Sequence, residues 1–453
     1  MRTLFIFCCL FLYIRDALPQ SPDWPSIKNQ AKPLIADTLT YGTPYIQPHN
    51  NLGWEDGVFI SRDGLHLYAF YVPADLVRFL NHLSLNPICP TIHPFIRGPL
   101  LGIDTITNPF GCTSLLHSDI IYSARGDTSL PFTNWQASNL ANPVEFEGGA
   151  QTITYPDGSL EFFVYTQSDA GQTDIYWFRD TLDNPVGPGN LMPFPAISPL
   201  FYEDNPHLER INDSTLVLFL DDHADPTEDA NIYYTISYDN GVTWSSKNFV
   251  SSVNTLEEDI HPHLWYDGID WWMYFASPDP NDEANRLSIF KVKQSIPGDW
   301  DSWSNRELVI SPGNITDGSG IAAAVGEPTL TAWGDISFVL AIQAVGTSDT
   351  TDMFELDPWY LPRKAPIYLS SHEQTLNRNP VKIFPNPASG IISVSSPTDD
   401  AILSVYRTDG RRVIEDLRLS IGKNQISLNL PPQMYIFKVT TPKSAIVKRV
   451  VLE

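Results

Sequence analysis

Five times between residues 54 and 343 the chain repeats one local plan. A carboxylate-bearing stretch leads into a short strand and a tight turn, then a strongly apolar strand, a loop and a third strand. The units open with WEDGVFISRDGLHLYAFY (54–71), EGGAQTITYPDGSLEFFVY (147–165), EDNPHLERINDSTLVLFL (203–220), EDIHPHLWYDGIDWWMYFAS (258–277) and GEPTLTAWGDISFVLAIQ (326–343). The turns Asp63-Gly64, Asp157-Gly158 and Asp267-Gly268 supply the left-handed residue that a tight reversal needs. One meander cannot bury both of its faces, so such units must stack on one another. The expected fold is all-β: a five- or six-bladed β-propeller over 45–362, followed by a small C-terminal β-sandwich. A sixth, irregular blade has room only in 21–50 or 86–140, and two tandem sandwiches are the competing arrangement. Few segments show helical periodicity, and Ala74–Leu85 is the best helix candidate.

Charge divides the chain. It holds 28 Lys+Arg against 53 Asp+Glu, a formal −25. Residues 381–453 carry ten basic and six acidic side chains, which leaves 18 basic and 47 acidic before them. That shift marks a domain boundary, with a polar linker at 363–380. An acidic surface of this size repels phosphate and argues against a nucleic-acid partner. At the other end, Arg2 precedes the apolar run Leu4–Ile14, too short to span a bilayer, so residues 1–20 read as a secretory signal peptide. No later segment is apolar enough for a transmembrane helix. Two cysteines remain beyond it. Cys89 and Cys112 suit one disulfide in an oxidising compartment, and with His93 and His117 they also form a loosely zinc-like set.

SYDNGVTW (237–244) fits Ser-x-Asp-x-Gly-x-x-Trp and resembles the Asp-box of sialidase-like propellers. The resemblance implies a structural hairpin in which Asp239 bonds turn amides, Gly241 takes the permissive φ and Trp244 packs beneath. A true sialidase is disfavoured. Arginine is scarce, and the Phe/Tyr-Arg-x-Pro opening motif of that family is absent.

The tail begins with Phe384-Pro385-Asn386-Pro387-Ala388. It continues with short strands after Gly390, Tyr406 to Gly410 before Arg411-Arg412, the run Met434-Tyr435-Ile436-Phe437-Lys438-Val439, and Lys448-Arg449 near the end. This ordered set resembles the C-terminal sorting domain of the type IX secretion system of Bacteroidota, with Gln433-Met434-Tyr435 where the family usually has Gly-x-Tyr. The residues carrying the match are Pro385, Asn386, Pro387, Gly410, Tyr435 and Lys438. The resemblance implies the type IX machinery as a partner of residues 381–453 and delivery outside the outer membrane of a Gram-negative bacterium, either released or held at the cell surface.

In a propeller the first strand of each blade lines the axis, so blade-opening residues face a common mouth. Those residues nominate Asp56, Asp204, Asp259 and Glu327 as catalytic carboxylates, and Glu55, Glu147, His207, His261 and Arg62 as ligand-binding groups. Two carboxylates across a sugar can serve as acid and base or as acid and nucleophile. The layout is broadly similar to that of five-bladed glycoside hydrolases of the arabinanase type, which use three channel carboxylates from different blades. An extracellular polysaccharide is then the expected substrate. The same groups also suit Ca2+, and a non-catalytic propeller binding glycan, protein or cation stays open beside the enzyme. His261 and His263, two apart on a strand, are expected to face one side. Trp271, Trp272, Trp300 and Trp303 are read as blade core in preference to sugar-stacking surface.

Overall fold

A computed structural model describes residues 22–77, 96–101, 105–106, 115–116, 118–140, 146–155, 159–169, 172–193, 203–223, 229–345, 353–364, 381, 383–384, 388–396, 399–407, 411–440 and 445–452. The chain divides near residue 367 into two compact units.

Among the described residues the larger unit contains five antiparallel blades, the outer strand of blade 5 also touching the first strand of blade 1 through a parallel bridge between Leu356 and Trp54. Blade 1 is Trp54–Ile60, His66–Val72, Asp119–Ala124 and Gln136–Ala137. Blade 2 is Phe146–Thr154, Leu160–Asp169, Gln172–Arg179 and Asn190–Leu191. Blade 3 is Glu203–Arg210, Leu216–Asp222, Asn231–Ser237 and Asn248–Phe249. Blade 4 is Ile260–Tyr266, Trp271–Pro278, Leu287–Gln294 and Trp303–Asn314. Blade 5 is Gly320–Leu330, Ile336–Ala344 and Met353–Leu361.

The first strands touch in the cycle 1–2–3–4–5–1, which closes the ring. This rules out tandem sandwiches and sets the blade number at five. The segment before blade 1 makes no sixth blade. Lys32–Ile35 adds to the outer edge of blade 4, and Tyr45–Ile46 adds to blade 5. The propeller therefore starts earlier than residue 45. A short helix, Trp24–Gln30, precedes these strands and buries Trp24 and Ile27.

Strand alternation explains the closure. In the second strand of blade 2, Phe162 and Val164 pack against blade 3, whereas Phe163 and Tyr165 pack against blade 1. In blade 3, Leu216, Leu218 and Leu220 face blade 2, and Val217 and Phe219 face blade 4. Successive side chains point to opposite sheet faces, so a strand covered on both sides must be apolar throughout. That is the continuous run the sequence shows in each unit. Each of the five blade junctions holds its own apolar cluster. Trp300 and Trp303 are buried in the cluster between blades 3 and 4, and Trp271 packs partly buried against it. Trp272 packs against the cluster between blades 4 and 5.

The hairpin at 237–244 is held by its own side chains. Asp239 accepts from the Thr243 amide (2.8 Å) and hydroxyl (2.6 Å), the Gly241 amide donates to Ser237 Oγ (2.8 Å), and Trp244 is buried. Gly241 has φ +85°, and a Cβ there would lie 2.8 Å from the Trp177 ring.

The smaller unit is a sandwich of two sheets. One joins Ile383–Phe384, Ile391–Ser396 and Gly422–Ser427; the other joins Arg412–Leu419, Ala401–Arg407, Met434–Thr440 and Ala445–Val451. Tyr435, Phe437 and Val439 alternate into its core, while Lys438 is exposed. The Tyr435 hydroxyl donates to Pro431 O (2.9 Å). Pro385, Asn386, Pro387 and Gly410 lie outside the described residues, as do Cys89, Cys112, His93, His117 and most of Ala74–Leu85.

Candidate functional site

Each blade's first strand breaks register at the same height. The breaks fall between Asp56 and Phe59, opposite Val164–Thr166, and between Asp204 and His207, Ile260 and His263, and Gly326 and Thr329. One residue of every bulge is left-handed: Gly57 (φ 56°), Gly149 (53°), Asn205 (47°), His261 (58°) and Glu327 (55°). Extra residues of this kind bend a strand and re-aim its side chains. Pro206, Pro262 and Pro328 follow the last three. Proline interrupts a sheet ladder and is tolerated at bulges. The five bulges ring a void of about 30 Å³ on the propeller axis.

A larger cavity of about 280 Å³ opens beside this ring. Its acidic lining is Asp56, Glu147, Asp204 and Glu327, with His261; Trp54, Phe70 and Phe146 supply aromatic surface, and Thr166, Ser168 and Thr173 supply hydroxyls. The cavity leans toward blade 2 because that blade has no side chains where others do. Gly148 and Gly149 stand where blade 3 has Asp204 and Asn205, and a Cβ on Gly148 would come within 3.1 Å of Phe70.

Among the described residues, no lysine or arginine pairs with Asp56, Asp204, Asp221 or Glu327. Desolvation pushes Asp56 up to about 6, with a smaller push from the Asp204 charge, against the bond from Trp54 Nε1 (3.0 Å). Asp204 is raised by desolvation, opposed by the Asn205 amide donating at 2.8 Å and then by the charge of His223 and a bond from Thr166. Asp221 is pushed up to about 8 by burial and then by Asp204. Glu327 is held well above the usual carboxylate range by burial, then by Asp56, Asp221 and Asp204. These are the two ordinary causes of a neutral acid at neutral pH.

Three of the four proposed catalytic carboxylates, Asp56, Asp204 and Glu327, therefore meet at one cavity, as do Glu147 and His261. The other residues do not. Asp259 is buried and accepts from Thr255 N (2.6 Å) and Oγ1 (2.8 Å), with Arg306 at 3.5 Å. Glu55 faces away from its neighbour Asp56. It accepts from the Asn51 amide (2.7 Å) and lies near Lys28, Glu355 and Asp357 in a fully buried group. Arg62 sits past the far end of the blade 1 strand, bonding Glu209 (2.7 Å), Leu330 O (3.1 Å) and His263 Nε2 (3.3 Å). His207 lies beneath the bulge ring, its ring 4.2 Å from that of His263.

His261 and His263 do not address one point. The left-handed bulge breaks the parity between them, so His261 meets Glu327 while His263 Nε2 accepts from the Leu330 amide (3.1 Å). Among the described residues, no three of His, Cys, Asp and Glu are grouped to hold a metal ion.

Sequence reasoning missed Asp221 and Asn205. Asp221 accepts from Asn205 Nδ2 (2.9 and 3.2 Å) and from the His261 amide (2.8 Å). Its signal was a wholly buried strand, Leu216–Asp222, that ends in two carboxylates.

Residues 382–453 match the secretion system C-terminal sorting domain. That tail is a type IX sorting domain, and it marks the chain for secretion or attachment at the cell surface. No helix among the described residues is long and apolar enough to cross a membrane. No curated protein matches the chain.

Solved structures similar to it include the catalytic domain of an α-L-arabinofuranosidase from Coprinopsis cinerea. It is 9% identical with a TM-score of 0.43, covering 72% of this chain and 96% of that one. The native arabinanase of Bacillus subtilis is 13% identical with a TM-score of 0.38, covering 68% and 94%. An endo-arabinase from Bacteroides thetaiotaomicron is 13% identical with a TM-score of 0.37, covering 69% and 96%. The propeller is defined by its own sheet connectivity and by the closed ring of first strands.

Proposed function

We propose that the propeller is a glycoside hydrolase acting outside a bacterium of the Bacteroidota, on a neutral extracellular polysaccharide. The observation that carries this reading is the meeting of Asp56, Asp204 and Glu327, from three blades, at one cavity with no lysine or arginine paired to them among the described residues. Hydrolysis of a glycoside needs one carboxyl that keeps its proton and one that has lost it. Glu327, held well above the usual carboxylate range by burial and by the carboxyls of Asp56, Asp221 and Asp204, is the acid, and Asp56, pushed up to about 6, is ionised at neutral pH.

Glu327 gives its proton to the glycosidic oxygen as the C–O bond breaks, and that oxygen leaves as an alcohol. Water adds to the anomeric carbon and gives up its proton to a carboxylate, either directly or through a glycosyl–enzyme intermediate. Trp54, Phe70 and Phe146 offer apolar faces for a sugar ring, and the acidic lining disfavours uronic and sialic acids. Residues 1–20 are proposed as the signal peptide that precedes export by the tail.

The test is hydrolysis of a panel of neutral polysaccharides and aryl glycosides, including arabinosides. Wild type should release reducing sugar from at least one. Glu327→Gln and Asp56→Asn should lose at least a hundredfold while staying folded. Equal activity in the variants would remove these residues from the chemistry. Binding without hydrolysis by wild type would favour the non-catalytic glycan- or cation-binding propeller.

A further inference from the structure

The left-handed position of the bulge is glycine in blades 1 and 2, where it carries no steric penalty. In blades 3, 4 and 5 it is Asn205, His261 and Glu327, and for histidine and glutamate that backbone is unfavourable. Such outliers persist only where their surroundings over-determine them, and they gather at working sites.

A chain of hydrogen bonds across three blades holds these. Asp221 of blade 3 accepts from Asn205 Nδ2 and from the His261 amide. The His261 ring then meets Glu327 twice. Its Nδ1 lies 3.2 Å from the Glu327 amide nitrogen, and its Nε2 lies 3.1 Å from Glu327 Oε1. An amide can only donate, so Nδ1 must be the acceptor and the neutral ring carries its proton on Nε2. Burial, which pushes His261 down to about 3, keeps that ring neutral. The seat is shaped for the ring. Gly326 lies against it, and a Cβ there would come within 2.9 Å of Nδ1.

We infer that His261 is a positioning residue for Glu327, its Nε2–H fixing Oε1 as an acceptor so that the acid's proton resides on Oε2. What that acid then does rests on the hydrolase reading; the coupling between the two side chains does not. The other groups facing Glu327 are carboxyls: Asp56 from blade 1, and Asp204 and Asp221 from blade 3. Among the described residues, His261 is thus the donor that steadies the ionised form, and it selects which oxygen is protonated in the neutral one.

The test is an infrared titration of the full chain, with the protonated-carboxyl band assigned to Glu327 by its absence in Glu327→Gln. In His261→Gly, which keeps the left-handed backbone, the midpoint should rise by about one pH unit or more, the effect of removing a bond to a charged group. Added imidazole should return it toward the wild-type value. Gly326→Ala, which keeps the histidine but displaces its ring, should move the midpoint the same way and serves if the first variant does not fold. An unchanged midpoint in both would overturn the inference. Failure of wild type to hydrolyse any glycoside would sink the hydrolase reading and leave the titration to decide the positioning role.

Discussion

Replacing Glu327 by glycine should make the propeller more stable and abolish its chemistry. The left-handed backbone at Glu327 (φ 55°) costs an L-residue roughly 1–2 kcal/mol. Glycine returns about 0.5–1 kcal/mol of that as chain entropy lost on folding. A further gain comes from removing a carboxyl whose ionisation the fold opposes. Because its folded pKa is raised, the wild-type penalty is absent below the unfolded value of about 4.5 and grows as pH rises toward the folded one. The lost bond to His261 works the other way by about 1 kcal/mol. At pH 4 these roughly cancel, and as pH rises to 8 glycine should take the lead, seen as a higher melting temperature than wild type. Calorimetry of wild type and Glu327→Gly at both pH values would measure it. A melting temperature that falls in the variant, by as much at pH 8 as at pH 4, would refute the idea that strain and charge are held here for function.

Other consequences follow from particular contacts. Lys247 is buried between Glu203 (2.6 Å) and Asp222 (2.5 Å), so Lys247→Met should cost about 3–5 kcal/mol in urea unfolding by stranding two carboxylates. Adding Glu203→Gln and Asp222→Asn should recover much of that loss. Phe219 is fully buried between blades 3 and 4 against Tyr234, Trp300 and Trp303, and Phe219→Ala should cost about 3–5 kcal/mol by the same assay. A chain lacking 381–453 should stay in the periplasm when cell fractions are blotted, whereas the full chain should reach the surface or medium.

The blades could be read from sequence because their strands are buried on both faces, which writes long apolar runs such as Leu216–Leu220 between turn residues. The tail could be read because its motif is ordered along the chain. The site was only half legible. Sequence could say that carboxylates open each blade, but not which of two adjacent acids faces the axis. Strand parity chose Asp56 over Glu55 and Asp204 over Glu203, and the bulge overrode parity between His261 and His263. The bulge itself was hidden, because glycine, asparagine, histidine and glutamate share no identity. The mid-strand prolines 206, 262 and 328 were the clue. Asp221 escaped because it comes from a second strand and reaches the site through backbone and amide donors.

The most direct measurement is a crystal structure of Glu327→Gln soaked with the oligosaccharide that wild type cleaves best, with calcium present. The expected result is a sugar ring against Trp54, its anomeric carbon between Asp56 and residue 327. Their separation would give the stereochemistry: about 5–5.5 Å for retention, about 6.5–9.5 Å for inversion. A cation seated among Asp56, Asp204 and Asp221, with the sugar elsewhere or absent, would contradict the hydrolase and make the cavity a binding site for metal.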